Sequence, residues 1–363
     1  MLNKAVFPGK YIQGNGALHE LPEIVKVMGR NGLILASPSV KEKILPTYGN
    51  QTISEQIPVE LFGGECCEDE LQRLSVIIQS KKTDVLIGMG GGKIIDTAKI
   101  AADRAGIPVI IIPTIASTDA PCSGVAVTYS PDGIYEKAHY QKSNPAVILV
   151  DTKIIANSPT RFLVAGMGDA LSTWFEARSC ERTQSENECG GLSTLVGLHI
   201  AKLCFDTLIE YGVNAKLACE EAVVTPALNY IIEANILLSG IGFESSGLAT
   251  AHSVHNGLTS LKETHTYYHG EKVAFGVLTG LHLNSSLPEE IESVYSFCES
   301  VGLPTTLADI GIIEMDRSNL MLVATNACAP DNFIHHEAGE ITPEKVYNAM
   351  IMADKYGRMR KSK

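Results

Sequence analysis

No stretch of this 363-residue chain reaches the roughly 18 consecutive apolar residues that a membrane span requires. The opening residues, MLNKAVFPGKYIQGNG, hold one short apolar patch broken by Pro8 and Gly9, with no cleavage site behind it. A cytoplasmic location is therefore expected. Positive charge is scarce too: 29 Lys and Arg face 41 Asp and Glu, a net charge of −12. Binding phosphates along a nucleic acid needs a basic footprint, so nucleic acid is an unlikely class of partner. The nine cysteines are odd in number, include the neighbours Cys66 and Cys67, and form no C-x-x-C pair. That pattern fits reduced thiols in a reducing compartment. Internal repeats and low-complexity tracts are also missing.

What is present is a globular composition, 45% hydrophobic and 19% charged, on a chain long enough for two domains. In the first half, short β-branched runs alternate with helical stretches: NGLILAS at 31, DVLIGMG at 84, PVIIIPT at 108 and AVILVDT at 146. Strands buried on both faces read this way, which predicts a parallel sheet clothed in helices. Two further runs, SGVAVTY and IYEKAHY, flank Ser130-Pro131-Asp132-Gly133 and predict a hairpin added to that sheet. After Ser158-Pro159, a helix cap and first helical residue, long helical periodicities take over. The expected fold is an α/β domain over 1–158 with a parallel, Rossmann-like sheet plus hairpin, then an all-α domain over 159–363. A ligand belongs in the cleft between them.

Two loops in the first half carry chemistry. Gly88, Gly90, Gly91 and Gly92 end a strand-like run, and Lys93 opens a helix. Missing side chains admit a ligand to the backbone, and helix N-termini attract anions, so this is a phosphate seat. Its spacing matches neither G-x-G-x-x-G, broken at Lys93, nor a P-loop, whose Ser/Thr slot is Ile94. The bland reading is a tight turn with a packing role. The second loop, PTIASTDAP at 113, follows the next strand and carries Asp119, either an orienter of a hydroxylated substrate or the acceptor of an Asx-turn.

In the second half, four of the ten histidines crowd GLATAHSVHNGLTSLKETHTYYHGEK, residues 247 to 272. His252 and His255 share one helical face at i,i+3, and His265 and His269 stand at i,i+4, so either pair suits a metal. Asp169, among apolar residues and two glycines in VAGMGDALSTWFEA, is the best carboxylate to join them. A carboxylate buried there needs a partner. A metal is one such partner, and a helix cap after Gly168 is the rival reading.

Taken together, FPGKYIQGNGAL at 7, GMGGGKIIDTAK at 88, PTIASTDAPCS at 113, FLVAGMGDALSTWFEA at 162, GLATAHSVHNGLT at 247, YYHGEKVAFG at 267 and YGRMRK at 356 resemble the glycerol dehydrogenases. These are the zinc-dependent branch of the iron-containing alcohol dehydrogenase family. The resemblance covers nearly the whole chain. It implies zinc on Asp169, His252 and His269, one histidine from each pair, leaving His255 and His265 as structural or supporting residues. Iron-using relatives place another histidine where this chain has Thr173, so zinc is the implied metal.

The resemblance further implies an NAD seat with Gly90, Gly91, Gly92 and Lys93 at the pyrophosphate, and Thr114, Ser117, Ser123, Val125 and Tyr129 as other contacts. Asp119 and His252 would meet a small polyol. Ser37 stands where relatives carry the acid that holds the adenosine ribose, which leaves NADP open. Ser246 replaces a glycine of relatives. The implied reaction is zinc-dependent hydride transfer between glycerol and NAD, in a ring-like octamer, with His255, Ser253 or ordered water as the proton relay. The alternatives are another vicinal diol or 2-hydroxy acid, a dehydroquinate synthase-like lyase, and a redox sensor built on Cys66 and Cys67.

Overall fold

A computed structural model describes every residue except Asn50, Asp132, Ile134, Met315 and Lys363. The described residues form eight strands: β1 (Tyr11–Gly14), β2 (Gly32–Ala36), β3 (Val59–Leu61), β4 (Val85–Gly90), β5 (Val109–Pro113), β6 (Val125–Tyr129), β7 (Tyr135–Tyr140) and β8 (Val147–Asp151). Six of them make one sheet in the order β1-β8-β5-β4-β2-β3, every neighbouring pair parallel. The four β-branched runs became β2, β4, β5 and β8. β1 and β3, of four and three residues, are too short and too exposed to carry a period.

Both sheet faces are buried, and alternate residues divide between two cores. Ile34, Ala36, Ile87, Met89, Ile110, Ile112 and Leu149 join one core with Leu18, Leu21 and Val25. Leu33, Leu35, Leu86, Ile111, Ile148 and Val150 join the other, which continues without a break into the helical half. That is the period-2 division of a sheet covered on both sides. Among the described residues, the chain after β8 forms helices and turns with no strand.

The hairpin corrects one expectation. β6 and β7 pair with each other, antiparallel, in a ribbon separate from the main sheet. Asp132 of its turn lies outside the described residues. Side chains of the Gly92–Ala105 helix explain the separation by taking backbone groups of β6: Asp96 Oδ2 accepts from Val127 N at 3.3 Å, and Lys99 Nζ donates to the Val125 carbonyl. With those groups met, β6 presents no free edge for the sheet to extend.

In the helical half, glycine permits backbone to lie against backbone. A Cβ on Gly166 would stand 2.0 Å from the Ala116 carbonyl oxygen, and one on Gly270 would stand 1.8 Å from that of Ala165. The Thr160–Thr183 helix can therefore press against the loop after β5 on one side and the His269–Leu283 helix on the other. Among the described residues, no helix is long and apolar enough to cross a membrane. All nine cysteines are free thiols.

Candidate functional site

The Thr160–Thr183, Thr250–Leu258 and His269–Leu283 helices each deliver one ligand-type side chain to a common point. Asp169, His252 and His269 place their ligand atoms within 4.8 Å of one another, the only such cluster of three among the described residues. Asp169 Oδ1 lies 3.0 Å from His269 Nε2 and 3.7 Å from His252 Nε2. Asp169 is 1% exposed, and its Oδ1 has no hydrogen bond of acceptable geometry despite that close nitrogen. The helix-cap rival for Asp169 fails, because the residue sits inside its helix, nearly three turns beyond the cap at Pro159.

The carboxylates and imidazoles of the cluster shift one another's protonation. Burial would raise the Asp169 carboxyl, but His269 and His252 outweigh it and hold it below the usual range. His252 moves the other way: burial would lower it, and Glu176 and Asp169 raise it well above an ordinary imidazole. Asp119 is pushed up by burial first and by the Asp169 charge second. A cation among these groups would offset the Asp169 charge that Asp119 faces, and Asp with two imidazoles is a zinc-type ligand set with an open position.

The sheet half meets this cluster through the loop after β5. The Asp119 backbone N–H donates to Asp169 Oδ2 at 3.2 Å. Its carboxylate accepts from Ser239 Oγ at 2.7 Å, and Ser239 pairs with Thr173 Oγ1 at 2.9 Å. The Asx-turn reading of Asp119 therefore gives way to a carboxylate held beside the metal cluster. Thr173, at the position of the extra histidine in iron users, spends its hydroxyl on that chain.

The glycine stretch and the second loop adjoin, with Gly90 paired to Pro113 in register and Thr114 N donating to Gly90 O at 3.1 Å. A Cβ on Gly90 or Gly91 would meet Ile94 or Ile115, whereas one on Gly92 would meet nothing within 4 Å. Gly92 thus borders open space at the N-terminus of its helix. Lys93 is exposed, pairs with Glu65, and stands 5.8 Å from the Tyr129 ring centre. Thr114 is buried and Ser117 half-buried in the loop below. Ser123, expected as a cofactor contact, is 1% exposed, and its hydroxyl lies 3.4 Å from Lys99 Nζ. The Val125 carbonyl is likewise taken by Lys99. Ser37 Oγ is 2.9 Å from Ser39 Oγ at the end of β2.

Two residues that sequence reasoning passed over organise the site. Lys99 is 1% exposed and ties the Ala120, Ser123 and Val125 carbonyls to the phosphate-seat helix. Its signal was a lysine on the buried face of an amphipathic helix, three residues from Asp96. Glu176, 2% exposed, receives His252 Nδ1 at 2.7 Å. It follows Asp169 by seven residues, two turns along the same helical face. Among the other histidines, His255 contacts His269, while His265 turns to the Thr259 carbonyl and takes no part. Ser253 donates to Ala249 O inside its own helix. Cys66 is buried, which pushes its thiol up to about 12 and removes the reactive thiolate that a redox sensor needs.

Comparison with known proteins decides the lineage. Residues 8–152 match the family of iron-containing alcohol dehydrogenases. A glycerol dehydrogenase of Thermotoga maritima is 49% identical over the full length of both chains. The chain belongs to the iron-containing alcohol dehydrogenase family. Another glycerol dehydrogenase, of Escherichia coli O6:H1 strain CFT073, is 46% identical, covering 97% of this chain and 96% of that one. The crystal structure of a probable glycerol dehydrogenase from Sinorhizobium meliloti 1021 superposes with a TM-score of 0.92 at 44% identity, covering 99% of this chain and all of the other. Full-length likeness to named glycerol dehydrogenases makes the chain an oxidoreductase, against the lyase alternative.

Proposed function

We propose that this member of the family oxidises glycerol to dihydroxyacetone, and catalyses the reverse reduction, by hydride transfer to and from NAD. Zinc would be held by Asp169, His252 and His269. The observation that supports this reading most is a buried carboxylate facing two imidazoles with an oxygen left unbonded, beside a second carboxylate, Asp119. Full-length relatives named glycerol dehydrogenase make glycerol the first substrate to try. A zinc ion there would supply Lewis acidity toward an alcohol or carbonyl oxygen.

The chain's own residues do the rest. Asp119, fixed by Ser239, accepts a hydrogen bond from a neighbouring polyol hydroxyl and so orients the carbon that loses hydride. Gly90, Gly91 and Gly92, with Lys93, seat the cofactor pyrophosphate at the helix N-terminus. Thr114, Ser117 and Tyr129 line the path toward the nicotinamide. Ser123 and Val125 act through Lys99, holding that loop in place. Oxidation sends two electrons and one proton to the nicotinamide as hydride, and the hydroxyl proton to solvent. Ser37 offers no carboxylate to repel a 2′-phosphate, so NAD preference would rest on other contacts.

We further read the chain as two domains, 1–158 and 159–363, in a cytoplasmic homo-oligomer for which the resemblance implies an octamer. Exposed Leu195, Leu203, Val213 and Leu217 on the Leu195–Glu220 helix are apolar surface that an assembly would cover. The deciding experiment measures zinc content, then cofactor reduction with glycerol before and after chelation, with NAD and NADP in parallel. Stoichiometric zinc, loss on chelation and recovery with zinc are expected. A zinc-loaded chain inert toward glycerol would discard the substrate and send the search to other diols and 2-hydroxy acids.

A further inference from the structure

The two candidate ligand histidines hold their ring nitrogens in fixed roles, and hydrogen bonds reaching backbone groups set those roles. The backbone N–H of Phe333 donates to Asn332 Oδ1 at 3.1 Å, which makes that atom the oxygen. Asn332 Nδ2 confirms the orientation by donating to the Asn326 carbonyl at 3.1 Å. Asn256 meets Asn332 Oδ1 at 3.1 Å and must do so with its Nδ2, leaving its own Oδ1 to face His255 Nδ1 at 3.1 Å. An amide oxygen only accepts, so His255 carries its proton on Nδ1 and its Nε2 accepts. The partner of that Nε2 is His269 Nδ1 at 3.0 Å, which therefore donates. His269 Nε2 is left with a lone pair, aimed at Asp169.

His252 reaches the same state by a shorter route. Glu176 Oε1 accepts from the backbone N–H of Ala249 at 2.8 Å and of His252 at 3.0 Å, while Oε2 accepts from His252 Nδ1 at 2.7 Å. A carboxylate cannot donate, so Nδ1 bears a hydrogen, and in the neutral ring that a metal would take Nε2 presents its lone pair inward. With both rings neutral, two lone pairs and a carboxylate oxygen converge on one point, and a cation, either a proton or a metal ion, is what joins them.

We propose that Glu176, and the series His255–Asn256–Asn332, are positioning residues that preset both histidines to bind zinc through Nε2. The inference rests on the metal reading above and extends it to residues that touch no metal. Glu176→Gln separates tautomer control from shape. The amide keeps its oxygen for the two backbone donors but turns an NH2 toward His252 Nδ1, which must then accept, and the hydrogen moves to Nε2 where zinc would bind.

The test is the zinc dissociation constant of the full chain, stripped and reloaded, by competition with a chromophoric chelator, alongside the melting temperature of the zinc-free form. Glu176→Gln should weaken zinc by about 10–100-fold, the usual cost of losing a supporting hydrogen bond of this kind, with the zinc-free melt little changed. His255→Leu, which removes only the acceptor of His269, should weaken zinc in the same direction, and His255→Gln, whose amide oxygen can accept, should recover part of the loss. Zinc affinity within a factor of about 3 of the parent in either Glu176→Gln or His255→Leu overturns the proposal, the standard being the same 10–100-fold loss. If Glu176→Gln does not fold, the two His255 variants alone decide it. A parent chain that binds no zinc would instead sink the metal reading itself.

Discussion

Two glycine-rich regions of this molecule look alike as sequence and behave oppositely as structure. Both Gly88–Gly92 and the Gly166, Gly168 and Gly270 set read as room left beside a charged or ligating residue. At the first, a Cβ added to Gly92 meets nothing within 4 Å. At the second, the space is filled by backbone, with carbonyl oxygens 2.0, 2.4 and 1.8 Å from the Cβ positions of Gly166, Gly168 and Gly270. In the first set Gly92 alone keeps space, Gly88, Gly90 and Gly91 being packed by side chains, and the second set removes space so that Asp169 and His269 can meet. The proposed cofactor seat would thus rest on backbone at Gly92, while the candidate metal centre is made of side chains held by backbone contact.

Lys99 joins the two regions, since it sits on the helix that begins at Gly92 and holds the loop that touches Asp169. Lys99→Met should break both at once. It leaves three carbonyls and the Asp96 carboxylate without their cation, and removing one partner of a buried pair costs about 3–5 kcal/mol. Denaturant unfolding at neutral pH checks this, and a variant as stable as its parent would show the loop is held by other means. Asp96 supplies a pH-dependent counterpart. Burial pushes its carboxyl up to about 6 against the pull of Lys99. A carboxyl raised in the folded chain contributes stability that is complete below about 4 and is lost as the pH rises through its folded value. Asp96→Asn is free of that loss, so its stability relative to the parent should climb between those two values in thermal melts. A gap independent of pH would mean that Asp96 titrates normally.

Gly270→Ala tests the side-chain centre by adding a single methyl group. The new carbon must push away the Ala165 carbonyl and the Asp169 backbone nitrogen, 2.9 Å off, and so displaces the ligand itself. A misplacement near 1 Å costs about 100-fold in rate. Steady-state kcat at saturating zinc should fall by that order, with reduced metal content. Unchanged kcat would show that the helices slide apart without disturbing the ligands.

These contrasts explain what could and could not be read from the chain. The core strands were legible because β2, β4, β5 and β8 are buried on both faces and must be continuous apolar runs. β1 and β3 lie at the sheet edges and left no period. The hairpin was legible as a hairpin but not as a separate ribbon, because what detaches it is Asp96 and Lys99, distant in sequence and matched only in space. Asp169 and the histidine pairs stood out as candidates, yet spacing could not choose one histidine from each pair. That choice depends on which side chains three helices bring to one point, which is set by how those helices pack. Ser123 was expected as a cofactor contact from likeness alone, and although Lys99 shows as a lysine on a buried helix face, its pairing with the Ser123 loop is made only in space.

At the seat, the same one-methyl change should do far less. Gly92→Ala finds open space and occupies the first turn of a helix, where alanine is at least as favourable, so the melting temperature should hold. Only a ligand in that space would be crowded, raising KM for NAD by about tenfold, or some 1.4 kcal/mol. An unchanged KM would place the pyrophosphate elsewhere.

Lys93→Met is expected to do least, although the sequence marks Lys93 as the positive charge of the seat. Its ammonium is exposed and already paired with Glu65, so a phosphate gains it only by displacing that carboxylate. An exposed pair exchanged for another exposed pair is worth about 0.2–1 kcal/mol, hence a rise in KM of a few-fold at most. Salt sharpens the measurement, because screening weakens exposed charge contacts while leaving backbone hydrogen bonds to phosphate nearly intact. The parent's KM for NAD should climb modestly with ionic strength and converge on that of Lys93→Met, which stays flat. A large loss that salt does not reproduce would mean the lysine is desolvated when the cofactor binds, and that the seat depends on a side chain after all.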